Sequence, residues 1–197
     1  MKFIKACIKY TALFLVVIYV GLIAYAYWPT GIDEVPATEL AGPDDRFIAV
    51  DDLALRYQAF GAPGPGKPNL VLIHGFGNSL QSFRLLAPLL ANDFYVVTVD
   101  LPGFGLSSKP VDYEYYAANQ AATVGQFIRA LGLEQAVIGG HSLGGQLALR
   151  VAVTEPEING LLLLNPGIIS TGVPAIIEFL PWPCLLYTSD AADEEDS

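Results

Sequence analysis

The sequence predicts an α/β fold, a mostly parallel sheet flanked by helices and preceded by a membrane-spanning helix. Three observations predict it. Leu70–Ile73, Tyr95–Val99, Ala136–Ile138 and Leu161–Leu164 are continuous apolar runs, as expected of strands covered on both faces rather than one. Helical segments separate these runs, and strands alternating with helices give a parallel sheet with right-handed crossovers. Ahead of them lies an uncharged, mostly apolar run of 18 residues, Tyr10 to Tyr27.

That first run is long enough to span a bilayer. Lys2, Lys5 and Lys9 precede it, and Tyr25, Tyr27 and Trp28 stand at its far end, where an aromatic belt sits. The lysines predict a cytoplasmic N-terminus, with the following domain extracytoplasmic. No polar face marks a soluble helix. The competing reading is a signal peptide cleaved after Ala26, since Ala24-Tyr25-Ala26 resembles a cleavage site, but the apolar run exceeds a usual signal core. Residues 29–44 read as a polar linker, with Asp45 at its border. Arg46–Val50 and Leu53–Phe60 read as an antiparallel hairpin, followed by a Gly/Pro-rich connection over residues 61–66. Helices are expected over Ser79–Leu90, over about Asp112–Leu131 and from Gln146 to Val153. In the second, Ala117, Ala121, Val124, Ile128 and Leu131 form one apolar stripe, and Gly132 stops it.

The chemistry is carried by three segments. Gly140-His141-Ser142-Leu143-Gly144 stands between an apolar strand and a helix, the context of a nucleophile elbow. So tight a turn strains the serine backbone and requires small residues at positions 140 and 144. The strand Asn69–Ile73 runs into His74-Gly75-Phe76-Gly77. Acyl transfer at a serine needs two backbone N–H groups facing the developing oxyanion. Leu143, after the nucleophile, supplies one, and Phe76 supplies the other. His74 invites a reading as catalytic base, but it reads better as a structural hydrogen-bonding residue of that loop. The third segment is Asp100-Leu101-Pro102-Gly103-Phe104-Gly105-Leu106-Ser107.

In order and spacing, the three segments resemble the alpha/beta-hydrolase fold family over residues 45–183. The resemblance implies a serine hydrolase that forms an acyl-enzyme on Ser142 from a carboxylic ester or related small-molecule acyl substrate, with no cofactor and no metal. Carbon–carbon bond hydrolysis occurs on the same apparatus in relatives. In that family Asp100 organises its loop, a displaced catalytic acid being the alternative. Serine at position 142 argues against the dehalogenase and epoxide hydrolase branches, which attack with a carboxylate.

Serine needs a base, and in this family the order is serine, acid, histidine. The chain has two histidines, His74 and His141, and neither follows Ser142. His141 adjoins the serine, where neighbouring side chains diverge. Residues 184–194, Cys184 to Glu194, resemble a translated sequencing adapter, so the natural sequence is expected to continue differently beyond Pro183. The alternative is a natural acidic tail over 184–197. Residues 167–183 read as the start of a lid or as an ordinary helix. A gene that truly lacked the histidine would make the chain a non-catalytic binding protein on a membrane tether.

The formal net charge is −10. Between Thr30 and Pro183 there are 7 basic and 15 acidic residues, which argues against nucleic acid as a partner. The bilayer is the expected partner of residues 10–28, beyond a basic N-terminus at residues 1–9. With Cys7 ahead of the apolar run and Cys184 in the tail, no disulfide is expected.

Overall fold

The apolar runs pair into one sheet, and their alternating side chains divide its two faces between two cores. The computed structural model describes residues 2–28 and 35–167. The expected lid or helix beyond Gly167, the tail over 184–197 and linker residues 29–34 lie outside the described residues.

The N-terminal unit is helix α1 (Lys2–Ala26). Its stretch Ile4–Ala26, with a mean hydropathy of 2.2, is long and apolar enough to cross a membrane by length and composition. At ~1.5 Å per residue the Tyr10–Tyr27 run covers about 27 Å, close to a hydrocarbon core.

The second unit opens with a single turn, α2 (Ala37–Leu40), and the expected hairpin, β1 (Arg46–Val50) and β2 (Leu53–Phe60). It continues with β3 (Asn69–Ile73), a 3₁₀ turn at Leu80–Phe83, α3 (Leu86–Leu90), β4 (Tyr95–Val99), α4 (Ala117–Ala130), β5 (Ala136–His141), α5 (Leu143–Thr154) and β6 (Ile158–Leu164). The sheet order is β1-β2-β4-β3-β5-β6. The hairpin joins β4 antiparallel, and the β4-β3-β5-β6 pairings are all parallel. Val71, Ile73, Val97, Val99 and Ile138 pack on one face with Val124, Phe127, Leu147 and Val151 of α4 and α5. Leu70, Leu72 and Val96 pack on the other with Phe83 and Ala87. Burial on both faces is why these strands carry no alternating polar residues.

Two expected helices are shorter than their patterns. Ser79–Leu90 divides into the 3₁₀ turn and α3, because Pro88 has no N–H and its ring excludes the carbonyl four residues back. It is tolerated in the first turn of α3. The Asp112–Leu131 helix begins only at Ala117. Tertiary contacts hold the preceding residues out of helix. Tyr113 Oη lies 2.8 Å from Thr123 Oγ1, and Tyr115 Oη donates to the Pro110 carbonyl at 2.8 Å. The two rings meet edge to face at 4.8 Å. Burial pushes both phenols above their ordinary pKa, and Tyr113 and Asp112 raise that of Tyr115 further. The expected stop is present, with Gly132 at φ +63°.

A buried charge network ties the sheet to its loops. Asp100, at the end of β4, is fully buried. Its Oδ1 accepts the Leu80 N–H at 2.7 Å. Its Oδ2 accepts the Leu106 N–H at 2.9 Å and pairs with Arg56 Nη1 at 3.2 Å. Arg56 Nε lies 2.8 Å from Asp45 Oδ1, though its N–H is not aimed along that line, so the contact is electrostatic rather than hydrogen-bonded. Asp45 also accepts from Gln58 Nε2 and the Gly42 N–H, both at 2.8 Å. Its side chain is 2% exposed, so this border residue of the linker is part of the folded domain. Removing one member of a buried ion pair leaves the other uncompensated, typically costing about 3–5 kcal/mol. Asp100→Asn is therefore expected to destabilise the domain by about that amount in urea unfolding followed by circular dichroism. Val153→Ala, at a 79% exposed position, should change stability by less than about 0.5 kcal/mol.

Candidate active site

Ser142 is the single residue between the end of β5 and the start of α5, and the turn it makes is strained. Its φ of +53° and ψ of −114° lie outside the regions that L side chains ordinarily occupy. The neighbouring glycines leave no room for anything larger. A Cβ on Gly140 would lie 2.2 Å from the carbonyl carbon and oxygen of Gly144. A Cβ on Gly144 would lie 2.1 Å from the Ile73 carbonyl oxygen. The turn is held by its backbone on both sides. The Ser142 N–H donates to Leu164 O at 3.1 Å, and its carbonyl accepts from Gly145, Gln146 and Gly167.

The loop after β3 closes on this turn. A Cβ on Gly75 would stand 3.3 Å from Ser142 Cβ and 3.1 Å from His141 Nδ1, so the loop approaches the serine closely and a side chain there would press on both residues. Gly77, at φ +69°, turns the loop back. Phe76 lies between them, with its ring 49% exposed and edge-on to Phe104 at 5.8 Å. Phe104 in turn packs edge-on against His74 at 5.3 Å. Leu143 is the first residue of α5, so its N–H belongs to the turn that has no intrahelical acceptor. Among the described residues neither the Leu143 nor the Phe76 N–H has a hydrogen-bond acceptor. One hydroxyl and two amide donors therefore gather at the C-terminal ends of the central strands, where open α/β sheets bind ligands.

The two histidines differ. His74 is fully buried. Its Nε2 accepts the Leu101 N–H at 3.1 Å, so the ring proton is on Nδ1, which donates to Gly75 O at 2.7 Å. Both ring nitrogens of His74 are thus engaged by backbone groups of Gly75 and Leu101 rather than by Ser142. His141 is exposed, and among the described residues no hydrogen bond joins it to Ser142. Asp100 has both oxygens filled by its own network and is not directed at the serine. Sequence reasoning missed the partners of Asp100. An arginine in the otherwise uncharged strand Leu53–Phe60 was the available signal for Arg56, and nothing local marked Asp45 as its counter-ion. It also missed Tyr115, whose ring seats against Gly103 at φ +90°, where a Cβ would approach to 2.6 Å. Among the described residues no group of three or more His, Cys, Asp or Glu is placed to hold a metal ion.

The geometry has relatives. The family model described as alpha/beta hydrolase fold matches residues 68–184. The uncharacterized hydrolase YugF of Bacillus subtilis is 37% identical over 141 residues, covering 71% of this chain and 50% of that protein. Lipase 3 of a Moraxella species is 39% identical over 148 residues, covering 74% of this chain and 43% of that one. This chain thus spans half or less of the length of these curated relatives. A crystal structure of a membrane phospholipase A, a bacterial virulence factor, superposes with a TM-score of 0.62 at 28% identity, covering 93% of this chain and 70% of that one. Strand order, elbow and family match agree, and the chain belongs to the alpha/beta-hydrolase fold family.

Proposed function

We propose that this chain is part of a membrane-anchored serine hydrolase acting on a carboxylic ester or related acyl substrate, with Ser142 as nucleophile. The observation that carries the reading is the strained serine at φ +53° between two glycines that cannot bear a Cβ. Strain of this kind costs about 1–3 kcal/mol and persists where the surrounding structure enforces it, commonly at functional sites. Ser142 Oγ attacks the acyl carbonyl. Its proton passes to a base, the serine ester bond forms as the bond to the alkoxy group breaks, and the alcohol leaves with the proton the base returns. Water then attacks the acyl-enzyme and releases the acid. The N–H groups of Phe76 and Leu143 hold the oxyanion in both steps. The base is neither His74 nor His141, and we assign it, with its orienting acid, to the part of the relatives' length that this chain does not span.

A carboxylate nucleophile, as in the dehalogenase and epoxide hydrolase branches, is absent from position 142. Relatives named as lipase and phospholipase support an acyl ester, and since others are named as a dehalogenase and an epoxide hydrolase, the choice between them rests on the serine at position 142. The test is made on the protein encoded by the recovered gene, read independently past the Pro183 codon. Ser142→Ala is expected to abolish labelling by a fluorophosphonate probe and to lower turnover of a p-nitrophenyl ester by ~10³-fold or more. Undiminished turnover in that variant overturns the assignment. A gene without a downstream acid and histidine, encoding a protein that takes no label, favours the tethered binding protein.

Anchoring through residues 10–28, with the N-terminus cytoplasmic, rests on the apolar stretch of α1 and the lysines before it. The protein is expected to stay in the membrane pellet through alkaline carbonate extraction and to retain Met1–Ala26. A soluble form beginning at Tyr27 shows a cleaved signal instead.

A further inference from the structure

We infer that His74 is a positioning residue that sets the direction of the Phe76 N–H by clamping the peptide group between Gly75 and Phe76. The inference rests on the reading of Ser142 and Phe76 given above. The chain of contacts starts at Asp100. Its buried carboxylate holds Leu80, Leu106 and Arg56, and its backbone N–H donates to Arg56 O at 2.9 Å. Leu101, next in the chain, is fixed with it, and the Leu101 N–H donates to His74 Nε2 at 3.1 Å. That bond occupies the Nε2 lone pair and leaves the ring proton on Nδ1. Nδ1–H then donates at 2.7 Å to the carbonyl of Gly75.

The Gly75 carbonyl and the Phe76 N–H are two ends of one planar group. No peptide bond in the described chain is cis, so the two point in opposite directions. The carbonyl is drawn toward a fully buried ring. The N–H, opposed to it, points away from that ring, in a loop where the Phe76 ring is half-exposed and Gly75 approaches Ser142. Without the clamp nothing holds the orientation. Glycine at 75 permits wide backbone rotation, and the Phe76 N–H has no acceptor among the described residues. Rotation of this peptide would point a carbonyl where a donor is needed. The residue thus acts through a backbone group and touches no reacting atom.

Two amide variants separate the ring's two bonds. In His74→Asn the side-chain NH₂ stands near the position of Nδ1 and can still donate to Gly75 O. In His74→Gln the longer amide reaches the position of Nε2, accepts from Leu101 and leaves Gly75 O without a donor. On the full-length protein with a p-nitrophenyl ester, His74→Gln and His74→Ala are expected to lower kcat by roughly 10²–10³-fold, as for loss of one oxyanion donor, with KM little changed. His74→Asn should retain most of kcat. Equal losses in Asn and Gln, or a loss confined to KM, overturn the proposal. Ser142→Ala run alongside tells the two readings apart: if it leaves turnover intact, the functional reading fails and the clamp is decided by its own readout. That readout is the ¹⁵N spectrum of the His74 ring, whose signals are assigned by their loss in His74→Gln. A ring protonated at Nδ1 and bare at Nε2 is expected, and a proton on Nε2 overturns the clamp.

Discussion

A carboxylate removed from water must have its oxygens filled, because an uncompensated buried charge costs several kcal/mol. Asp100 satisfies this with groups from three separate stretches of chain: Leu80 beyond β3, Leu106 beyond β4, and Arg56 on β2. None of the three can shift without exposing or orphaning the charge. The loops beyond β3 and β4 consequently share one reference point, although no strand contains either of them. Arg56 presents a second side to Asp45, whose Oδ1 lies 2.8 Å from Nε at the edge of the linker. The network around one buried group thus extends outward to the border of the linker.

The elbow answers a different constraint. Its strain is steric and is held by contacts with β3 and β6 rather than by charge. Gly144 lies against the carbonyls of Ile73 and His74, while Leu164 accepts the Ser142 N–H. The serine turn and the His74–Gly77 loop therefore meet on the same strand end, β3, one through close packing and the other through covalent continuity. Their spacing follows from backbone geometry and is insensitive to side chains on the surface.

Much of this architecture was legible in the sequence. Strands buried on both faces announce themselves by unbroken apolar runs, so β3, β4 and the hairpin were bounded correctly. The elbow was legible because its glycines are demanded by sterics at fixed offsets from the serine. Helix starts were less so. Nothing local says that Tyr113 and Tyr115 will bond to Thr123 and Pro110 and keep residues 112–116 out of helix. The break before α3 has its signal in the sequence, Pro88, which cannot sit deeper than the first turn of a helix. The Asp45–Arg56–Asp100 network was invisible, since its members are up to 55 positions apart and only folding brings their charges together. The bond between His74 Nδ1 and Gly75 O was not legible, because it depends on the tautomer, and that is set by a distant backbone donor.

The central place of β3 has a consequence for how the chain assembles. Both of its neighbours are parallel, and its pairing with β5 brings Leu70 beside Val137 across most of the domain. Contacts so remote in sequence form slowly, because the entropy of closing the intervening loop is lost before they contribute. The elbow cannot take its final shape until β3 is in place to receive Gly144 and β6 has supplied the acceptor for Ser142. During synthesis the strained serine turn is therefore a late product. A nascent chain that has just delivered Ser142 still lacks Leu164 and Gly167, two of the backbone partners that hold the turn.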